Sequence, residues 1–289
     1  MGGARASAGL VLSLVCVSFS AIFVRLSAAP AAVLAFYRLA LTVLIFLPAW
    51  PRGTRPFAGV PPAWRWAVVA AGILLGLHFL TWIASLGMTS VASSVVLVST
   101  HPLWVAAGSA LLWHERLARR AVAGIATALV GTVVLAVGGG LGGVSLTGDL
   151  LALAGAVTFA GYLLVGRNLR SRVPVLPYAT VVYGIAALAL VPALLLLHAP
   201  LWPYPARQWL LFVALALVPT IGGHTVFNWS LAYLPATAVS LALLGEPVGA
   251  SLLAWGILGQ APSAADVAGG GLVLAGIALY GLTQGAVAQ

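Results

Sequence analysis

Apolar runs of about 20 residues recur along this chain, separated by short stretches rich in Pro, Gly and Arg. A helix needs about 20 apolar residues to cross a bilayer, because each residue advances it by only about 1.5 Å. Only 6% of the 289 residues are charged and 62% are hydrophobic, so there is too little polar surface to cover a water-soluble globule. The pattern predicts an all-α integral membrane protein with ten transmembrane helices. The predicted spans are 7–25, 31–50, 65–85, 91–113, 119–137, 148–167, 176–198, 208–232, 237–258 and 264–283.

Arginine distinguishes the two sides of the predicted membrane. All 13 basic residues are Arg, and short cytoplasmic loops carry the excess of basic residues. With a cytoplasmic N-terminus, ten of them, Arg170 included, fall in inner segments, only Arg25 and Arg207 fall outside, and Arg38 lies within the second span. The bias predicts a multi-pass protein of the bacterial cytoplasmic (inner) membrane with both termini in the cytoplasm. The first apolar run also has the outline of a signal peptide, but its length favours a span.

The chain repeats itself at a shift of 145 residues. The segment that begins "SLGMTS" aligns without a gap with the segment that begins "SLAYLP", and Pro102 falls on Pro247 (247 − 102 = 145). Five spans in each half is an odd number, so the second half enters the membrane from the opposite side. The sequence predicts two inverted five-helix repeats, 1–144 and 145–289, an architecture that recurs in secondary transporters.

Three stretches carry a family resemblance: "AFYRLALTVLIFLPAW" in the second span, "STHPLWVAAGSALLWHERL" in the fourth and "LLGEPVGASLLAWGILGQAPS" in the ninth. In this order and spacing they are similar to the ten-span EamA-type members of the drug/metabolite transporter superfamily, over nearly the whole chain. The resemblance implies a carrier of two inverted five-helix halves that moves small metabolites, with amino acid export frequent among bacterial members. The chain departs from the family pattern at His101, where a small polar residue is usual, and at Gln260, where a Glu is common.

Glu246 is the foremost candidate site residue. An ionisable side chain at bilayer depth is costly and tends to face the bundle interior or a water-filled cavity. The repeat places Glu246 and His101 at equivalent depths (246 − 101 = 145), and His78 and His224 also fall near the middle of their spans. These groups would contact a substrate or exchange a proton. The alternative interpretation is structural, with Glu246 holding a bent helix and His101 packing beside its own proline.

A proline follows both His101 and Glu246 in the sequence. Pro102 and Pro247 have no amide hydrogen, so each leaves the carbonyl one turn earlier without its helical partner. We expect the fourth and ninth spans to bend at these points.

Further cavity candidates share a helix face with these residues, because side chains three or four apart lie on one side of a helix. Trp82 joins His78 on the third span and Asn228 joins His224 on the eighth. For Arg38, a structural role is favoured over attraction of a substrate carboxylate. The first, third, fourth, sixth, eighth and ninth spans are predicted to line the cavity. The full set of predicted cavity residues is Ser20, Arg38, His78, Trp82, His101, Trp104, Tyr162, His224, Asn228 and Glu246.

Together these features predict a secondary transporter that exports small metabolites, with amino acids favoured, by alternating access. A multidrug or organic-cation efflux carrier is the first alternative, since an acidic residue and aromatic side chains also suit cations, and a non-transporting scaffold or receptor-like component is the second. The predicted partners are a small-molecule substrate, the lipid bilayer and protons, with no nucleic acid, because the Arg residues form no patch with polar neighbours. The sequence has no HExxH, phosphate-loop or GxSxG motif, and Cys16 is its only cysteine, so no enzyme, cofactor or metal is predicted.

Overall fold

The structure, a computed structural model, describes residues 2–52, 56–57, 60–89, 91–114, 118–138, 145–258 and 261–287, and its regular elements there are all helical. Its α-helices are α1 (Gly2–Leu26), α2 (Ala31–Phe46), α3 (Pro62–Ser85), α4 (Val91–Val98), α5 (His101–Trp113), α6 (Arg119–Gly138), α7 (Leu146–Arg170), α8 (Val175–Ala189), α9 (Val191–Leu196), α10 (Ala206–Leu215), α11 (Val226–Ser230), α12 (Ala236–Ala242), α13 (Glu246–Leu258) and α14 (Ala264–Val287). A π-helical segment, Ala216–Thr225, joins α10 to α11, and 3-10 turns cover Leu47–Ala49 and Leu243–Gly245. Gln260 and the predicted boundary at residue 144 lie outside the described residues.

Eight helical stretches of the described residues are long and apolar enough to cross a membrane. They are Arg5–Leu26, Ala31–Ala49, Trp64–Ser85, Val96–Trp113, Leu146–Arg170, Val175–Leu196, Ala206–Ser230 and Ala236–Ile257. Each coincides with one of the predicted spans. The helices at the predicted fifth and tenth spans, α6 and α14, are not among these eight, and the apolar stretch Val267–Tyr280 of α14 is shorter. The chain is therefore an all-helical, multi-pass membrane protein.

The fourth and ninth predicted spans are broken where the prolines predict a bend. In the first half the break separates α4 from α5, and in the second half it separates α12 from α13. His101 and Glu246 are the first residues of the new helices (246 − 101 = 145), and Pro102 and Pro247 are the second. A proline is tolerated in a first helical turn because its missing amide would have no intrahelical partner there. Each proline thus starts a new helix instead of bending a continuous one.

Helices α6 and α14 are packed so closely that glycine is required between them. A Cβ atom added to Gly276 would lie 2.5 Å from both Gly124 O and Ala128 N. One added to Gly131 would lie 2.6 Å from Gly269 O. Small residues let membrane helices approach in this way, and the backbone contact joins the two halves of the chain.

A second closely packed region is built around α3, which packs against both α7 and α8. Close approach to α8 occurs at Gly72, where an added Cβ would lie 2.6 Å from Ile185 Cβ, and at Gly76, where it would lie 2.8 Å from Ala186 O. The largest core cluster fills the space between α2, α3, α7 and α8, with Leu75 fully buried within it. This packing fixes the side of α3 that carries His78 and Trp82.

Arg170 is not the loop residue that the charge pattern predicts. Helix α7 continues to Arg170 and turns its side chain inward, where only 5% of it is exposed. The guanidinium Nε donates to Asn228 O at 2.8 Å, and Nη1 donates to Val173 O. Arg170 therefore ties α7 to α11, because a buried guanidinium needs acceptors for its N–H groups.

Candidate functional site

The two helix breaks face a cavity of about 80 Å³ inside the bundle. Its walls come from α1, α3, the α4–α5 break, α7, the π-helical segment with α11, and the α12–α13 break. These elements correspond to the six spans predicted to line a cavity. Among the predicted site residues, the lining includes Ser20, His78, Trp82, His101, His224 and Glu246. The remaining lining is mainly apolar, as in sites that bind small molecules.

Glu246 presents its side chain to the cavity while its backbone repairs the helix break. Its N–H donates to Leu243 O, the carbonyl that Pro247 leaves without a helical partner. Its own carbonyl accepts a hydrogen bond from Ser18 Oγ at 3.3 Å. The side chain of Glu246 is half-buried and belongs to the cavity lining. Glu246 thus contributes its backbone to the helix break and its side chain to the cavity wall.

His101 has a carbonyl oxygen at each ring nitrogen. Nδ1 lies 3.0 Å from Val98 O, the carbonyl freed by Pro102, and Nε2 lies 3.0 Å from Ser240 O in the other half of the chain. A neutral imidazole has one N–H and can donate to only one of the two carbonyls, whereas the doubly protonated ring can donate to both. The contact between the halves therefore requires a proton on Nε2 of His101.

An aromatic wall joins the three histidines of the cavity. The ring of Phe159 lies 4.6 Å from that of His78, 5.0 Å from that of His101 and 6.0 Å from that of His224, measured between centroids. The ring of His78 also stacks on Trp82, at 6.1 Å and an interplanar angle of 2°. The Nδ1 atom of His78 is hydrogen-bonded to Gly155 O at 2.9 Å. Phe159 thus fixes the relative positions of the histidine rings.

Arg38 lies one layer behind the cavity wall and is completely buried. Its Nε donates to Thr220 Oγ1 at 3.1 Å and its Nη1 to Ser20 Oγ at 3.4 Å. The guanidinium carbon sits 3.9 Å from the ring centroid of Phe79, a cation–π contact. Since Ser20 and Phe79 themselves line the cavity, Arg38 does not form part of its surface.

Tyr162 and Asn228 also lie behind the wall, in a buried hydrogen-bond network. The Asn228 side-chain amide donates to Tyr162 Oη, to His224 O at 2.7 Å and to Tyr183 Oη at 3.4 Å. Tyr183 Oη is in turn 3.0 Å from Thr225 Oγ1. The network holds α7, α8 and α11 in register behind the histidines.

Trp104 lies away from the cavity, in contrast to the prediction. It is 41% exposed, and its indole N–H donates to Thr100 Oγ1 at 3.3 Å. The buried face of α5 carries His101, Val105 and Ser109, and Trp104 lies outside that face. The sequence placed Trp104 within the fourth span but did not show which face of the span turns inward.

Comparison with known proteins identifies the family. The sequence model of the EamA-like transporter family matches residues 5–137 and, a second time, residues 146–282. The chain belongs to the EamA-like transporter family. Its members are transporters and not enzymes, and the two matches give this EamA-like protein two repeats, one in each half of the chain.

Individual relatives of this EamA-like protein agree with that assignment. The uncharacterized transporter YwfM of Bacillus subtilis (strain 168) is 29% identical over 134 residues, which is 46% of this chain and 45% of that relative. The chain thus matches about half the length of this curated relative. A solved crystal structure is similar over 97% of this chain and 97% of its own, with a TM-score of 0.79 and 26% identity. The chain therefore shares its fold with that protein over nearly its whole length.

The π-helical segment of this EamA-like protein, which carries His224, is a part of the site that the sequence did not predict. Pro219 leaves Leu215 O without its helical partner, and Thr220 Oγ1 donates to that carbonyl at 2.7 Å. Ser13 Oγ of α1 donates to Gly223 O at 3.0 Å. The available sequence signal was Pro219 inside an apolar span, and π-helical turns are frequent at functional sites. Phe159 was missed as well, although it lies one turn before the predicted Tyr162.

Proposed function

We propose that this EamA-like protein is a secondary transporter that exports small metabolites, amino acids foremost, across the bacterial cytoplasmic membrane by alternating access. It would have ten spans in two inverted halves, 1–144 and 145–289, with both termini in the cytoplasm. The family and its two repeats support the transporter class. The helices of the second half begin 144 or 145 residues after their counterparts (206 − 62 = 144; 264 − 119 = 145), which supports the repeat.

The observation that carries the proposal is the cavity between the halves, whose wall combines an acid with ring nitrogens that lack a hydrogen-bond partner. Glu246 supplies a carboxylate for a substrate ammonium group. Trp82 Nε1 and His224 Nδ1 are buried and have no hydrogen-bond partner among the described residues. The indole N–H can donate to a substrate carboxylate, and His224 Nδ1 can do so when it carries a proton. Phe159 and Phe227 supply an apolar wall for the remainder of the molecule. A small zwitterion with an apolar side chain satisfies all of these groups together.

Alternating access is supported by the way in which both halves close on the cavity. Each half supplies one broken helix, and the His101–Ser240 contact joins the two breaks. A site near the middle of the membrane, at discontinuous helices of two repeats, is typical of secondary transporters. We propose that transport is coupled to protons, because gain or loss of a proton at His101 changes how many of its two carbonyl contacts can form.

The test is transport by purified protein in liposomes. Radiolabelled amino acids and hydrophobic organic cations are offered in parallel counterflow assays, with empty liposomes as the control. Saturable exchange of one or more amino acids, driven by an imposed pH gradient, is expected. Saturable exchange that ignores the gradient would exclude proton coupling and leave a facilitator. If folded protein moves no solute of either class, the transport proposal fails and a scaffold role gains support.

An efflux carrier for organic cations is the second candidate. The same cavity combines one carboxylate with the faces of Trp82, Phe159 and Phe227, and aromatic rings attract cations. Counterflow with cations and none with amino acids would favour this function over amino acid export.

A further inference from the structure

A second cavity, of about 440 Å³, opens on the surface between α3 and α8. Its walls are Val68 and Val69 of α3, Val181 and Ile185 of α8, and the chain just before α3. It shares no lining residue with the candidate transport site. We call this cavity the α3–α8 groove.

The groove ends where α3 and α8 come into backbone contact. At Gly72 an added Cβ would lie 2.6 Å from Ile185 Cβ, and at Gly76 it would lie 2.8 Å from Ala186 O. Nearer the beginnings of both helices, branched Val69 and Val181 face the groove and the space between the helices is open. The groove is therefore a slot that closes toward the later turns of both helices and has apolar walls between them.

The open end of the groove carries positive charge. Arg65 is its charged lining residue and is exposed. Arg172, which follows α7, is also exposed and places its guanidinium 5.0 Å from the ring of Trp64, next to Arg65 in the chain. The four acidic residues of the chain are at positions 115, 149, 246 and 266, so none is near this end in sequence.

Aromatic residues put this end at the level of the lipid headgroups. Trp66 is 75% exposed, and with Trp64 it flanks Arg65 at the beginning of α3. Tryptophan is enriched where a membrane protein passes from hydrocarbon to headgroups. The valine-lined part of the groove then lies at the depth of the acyl chains, and Arg65 lies at the depth of the phosphates.

The geometry points to a binding site for one anionic phospholipid in the α3–α8 groove. An acyl chain lies along Val68, Val69 and Val181, and the phosphate is held by Arg65, with Arg172 adding positive charge. Basic pockets between transmembrane helices on the cytoplasmic side are suited to acidic headgroups, and the positive-inside bias puts Arg65 on that side. A lipid held there touches α3 of the first half and α8 of the second, so it bridges the two halves.

The experiment is native mass spectrometry of the delipidated full-length protein, titrated with dioleoylphosphatidylglycerol or with dioleoylphosphatidylcholine. We expect tighter binding of the anionic lipid, and about fivefold weaker binding of it by Arg65→Gln. Arg65→Lys keeps the charge and should retain binding. Arg120→Gln, an exposed arginine at the beginning of α6 and on the same predicted side, is the matched control and should bind like the unaltered protein.

A second variant tests the apolar part of the site. Val69→Phe fills the groove and should displace the lipid, whereas Val130→Phe, on a lipid-facing surface of α6, should not. The melting temperature of each variant verifies that it is folded. Equal binding of the two lipids, equal binding by Arg65→Gln and Arg120→Gln, or full competition by inorganic phosphate alone would each overturn the lipid site. None of these results depends on what the protein transports.

Discussion

Glu246 contributes separately to the fold and to the cavity. Its backbone N–H completes the helix break by donating to Leu243 O, and its carboxylate faces the empty space. Substitution of the side chain leaves the backbone hydrogen bond in place. The two interpretations of this residue, binding and structural, can therefore be separated by experiment.

Glu246→Gln should lower transport while leaving the fold largely intact. The amide is nearly the same size but cannot pair with a substrate cation, so we expect at least a tenfold loss of flux per folded molecule. Flux in liposomes and the melting temperature in detergent are measured on the same preparation. Asp149→Asn, which removes a carboxylate at the beginning of α7, is the control and should leave flux per folded molecule unchanged. A collapse in melting temperature with normal flux from the remaining folded protein would make Glu246 structural.

For individual residues, the sequence could assign ionisable side chains to the cavity but could not assign apolar ones. Glu246, His101 and His224 were identified because a titratable group at bilayer depth needs a polar environment. Phe159 contacts all three cavity histidines, yet a phenylalanine in an apolar span is not distinguishable from an ordinary core residue. Trp104 was misplaced because the sequence does not show that the buried face of this helix carries Val105 and Ser109.

At the scale of helices, three prolines each leave a backbone carbonyl without its α-helical hydrogen bond, and a nearby group hydrogen-bonds to that carbonyl instead. Val98 O is paired with the ring of His101, Leu215 O with the hydroxyl of Thr220, and Leu243 O with the N–H of Glu246. An unpaired carbonyl in a membrane costs several kcal/mol, so each break has a partner within a few residues. The irregular backbone is found beside the cavity, where it is tolerated.

Thr220→Val should destabilise the π-helical segment. The buried Thr220 Oγ1 donates to Leu215 O and accepts from Arg38 Nε, and valine can do neither. We expect a loss of about 1–2 kcal/mol, seen as a lower melting temperature.

The matched control for this variant is Thr127→Val in α6. The Thr127 hydroxyl donates to Ala123 O within a regular helix, where that carbonyl also has its ordinary amide partner. This change should alter stability by less than about 0.5 kcal/mol. Equal effects of the two variants would contradict the role assigned to Thr220.

The helix breaks were predictable to different degrees. Pro102 and Pro247, each beside a polar residue and related by the repeat, predicted the breaks in the fourth and ninth spans. Pro219 also lies in an apolar run and predicts a disturbed helix there. It does not predict a π-helix, because the wider turns of a π-helix leave the average hydropathy of the span unchanged. The π-helical segment could therefore not be distinguished from a kinked α-helix by sequence pattern.

At the scale of the whole molecule, the two halves are joined by contrasting contacts. Helices α6 and α14, which supply no lining residue of the cavity, meet backbone to backbone at their glycines. Beside the cavity, side chains of the first half reach carbonyls of the second, as His101 does to Ser240 O, His78 to Gly155 O and Ser18 to Glu246 O. Motion of one half against the other at the cavity would have to break such side-chain contacts.

Gly276→Val should disrupt the contact between the halves. The new Cβ would lie 2.5 Å from Gly124 O, so the helices must separate, at a cost of about 3 kcal/mol or more. Gly271→Val, on the same helix but with nothing within 4 Å, is the control and should change stability by about 0.5 kcal/mol or less. Thermal unfolding in detergent measures both, and equal melting temperatures would show that the contact contributes little.

The class of the molecule was predictable from its apolar runs, because the bilayer sets the length of a spanning helix. The family also followed from the sequence, since the motifs around Arg38, Pro102 and Pro247 recur in a fixed order. The α3–α8 groove was not predictable. It depends on how closely two helices approach at Gly72, and no property of one helix alone determines that distance.

The His101–Ser240 contact constrains the amino acid at one of its two positions but not at the other. The acceptor is a main-chain carbonyl, which every amino acid possesses, so position 240 can change its side chain without removing it. Position 101 must keep a ring or chain that ends in an N–H. For this contact, position 240 in the second half therefore tolerates substitution, whereas position 101 in the first half has to keep a side chain with an N–H.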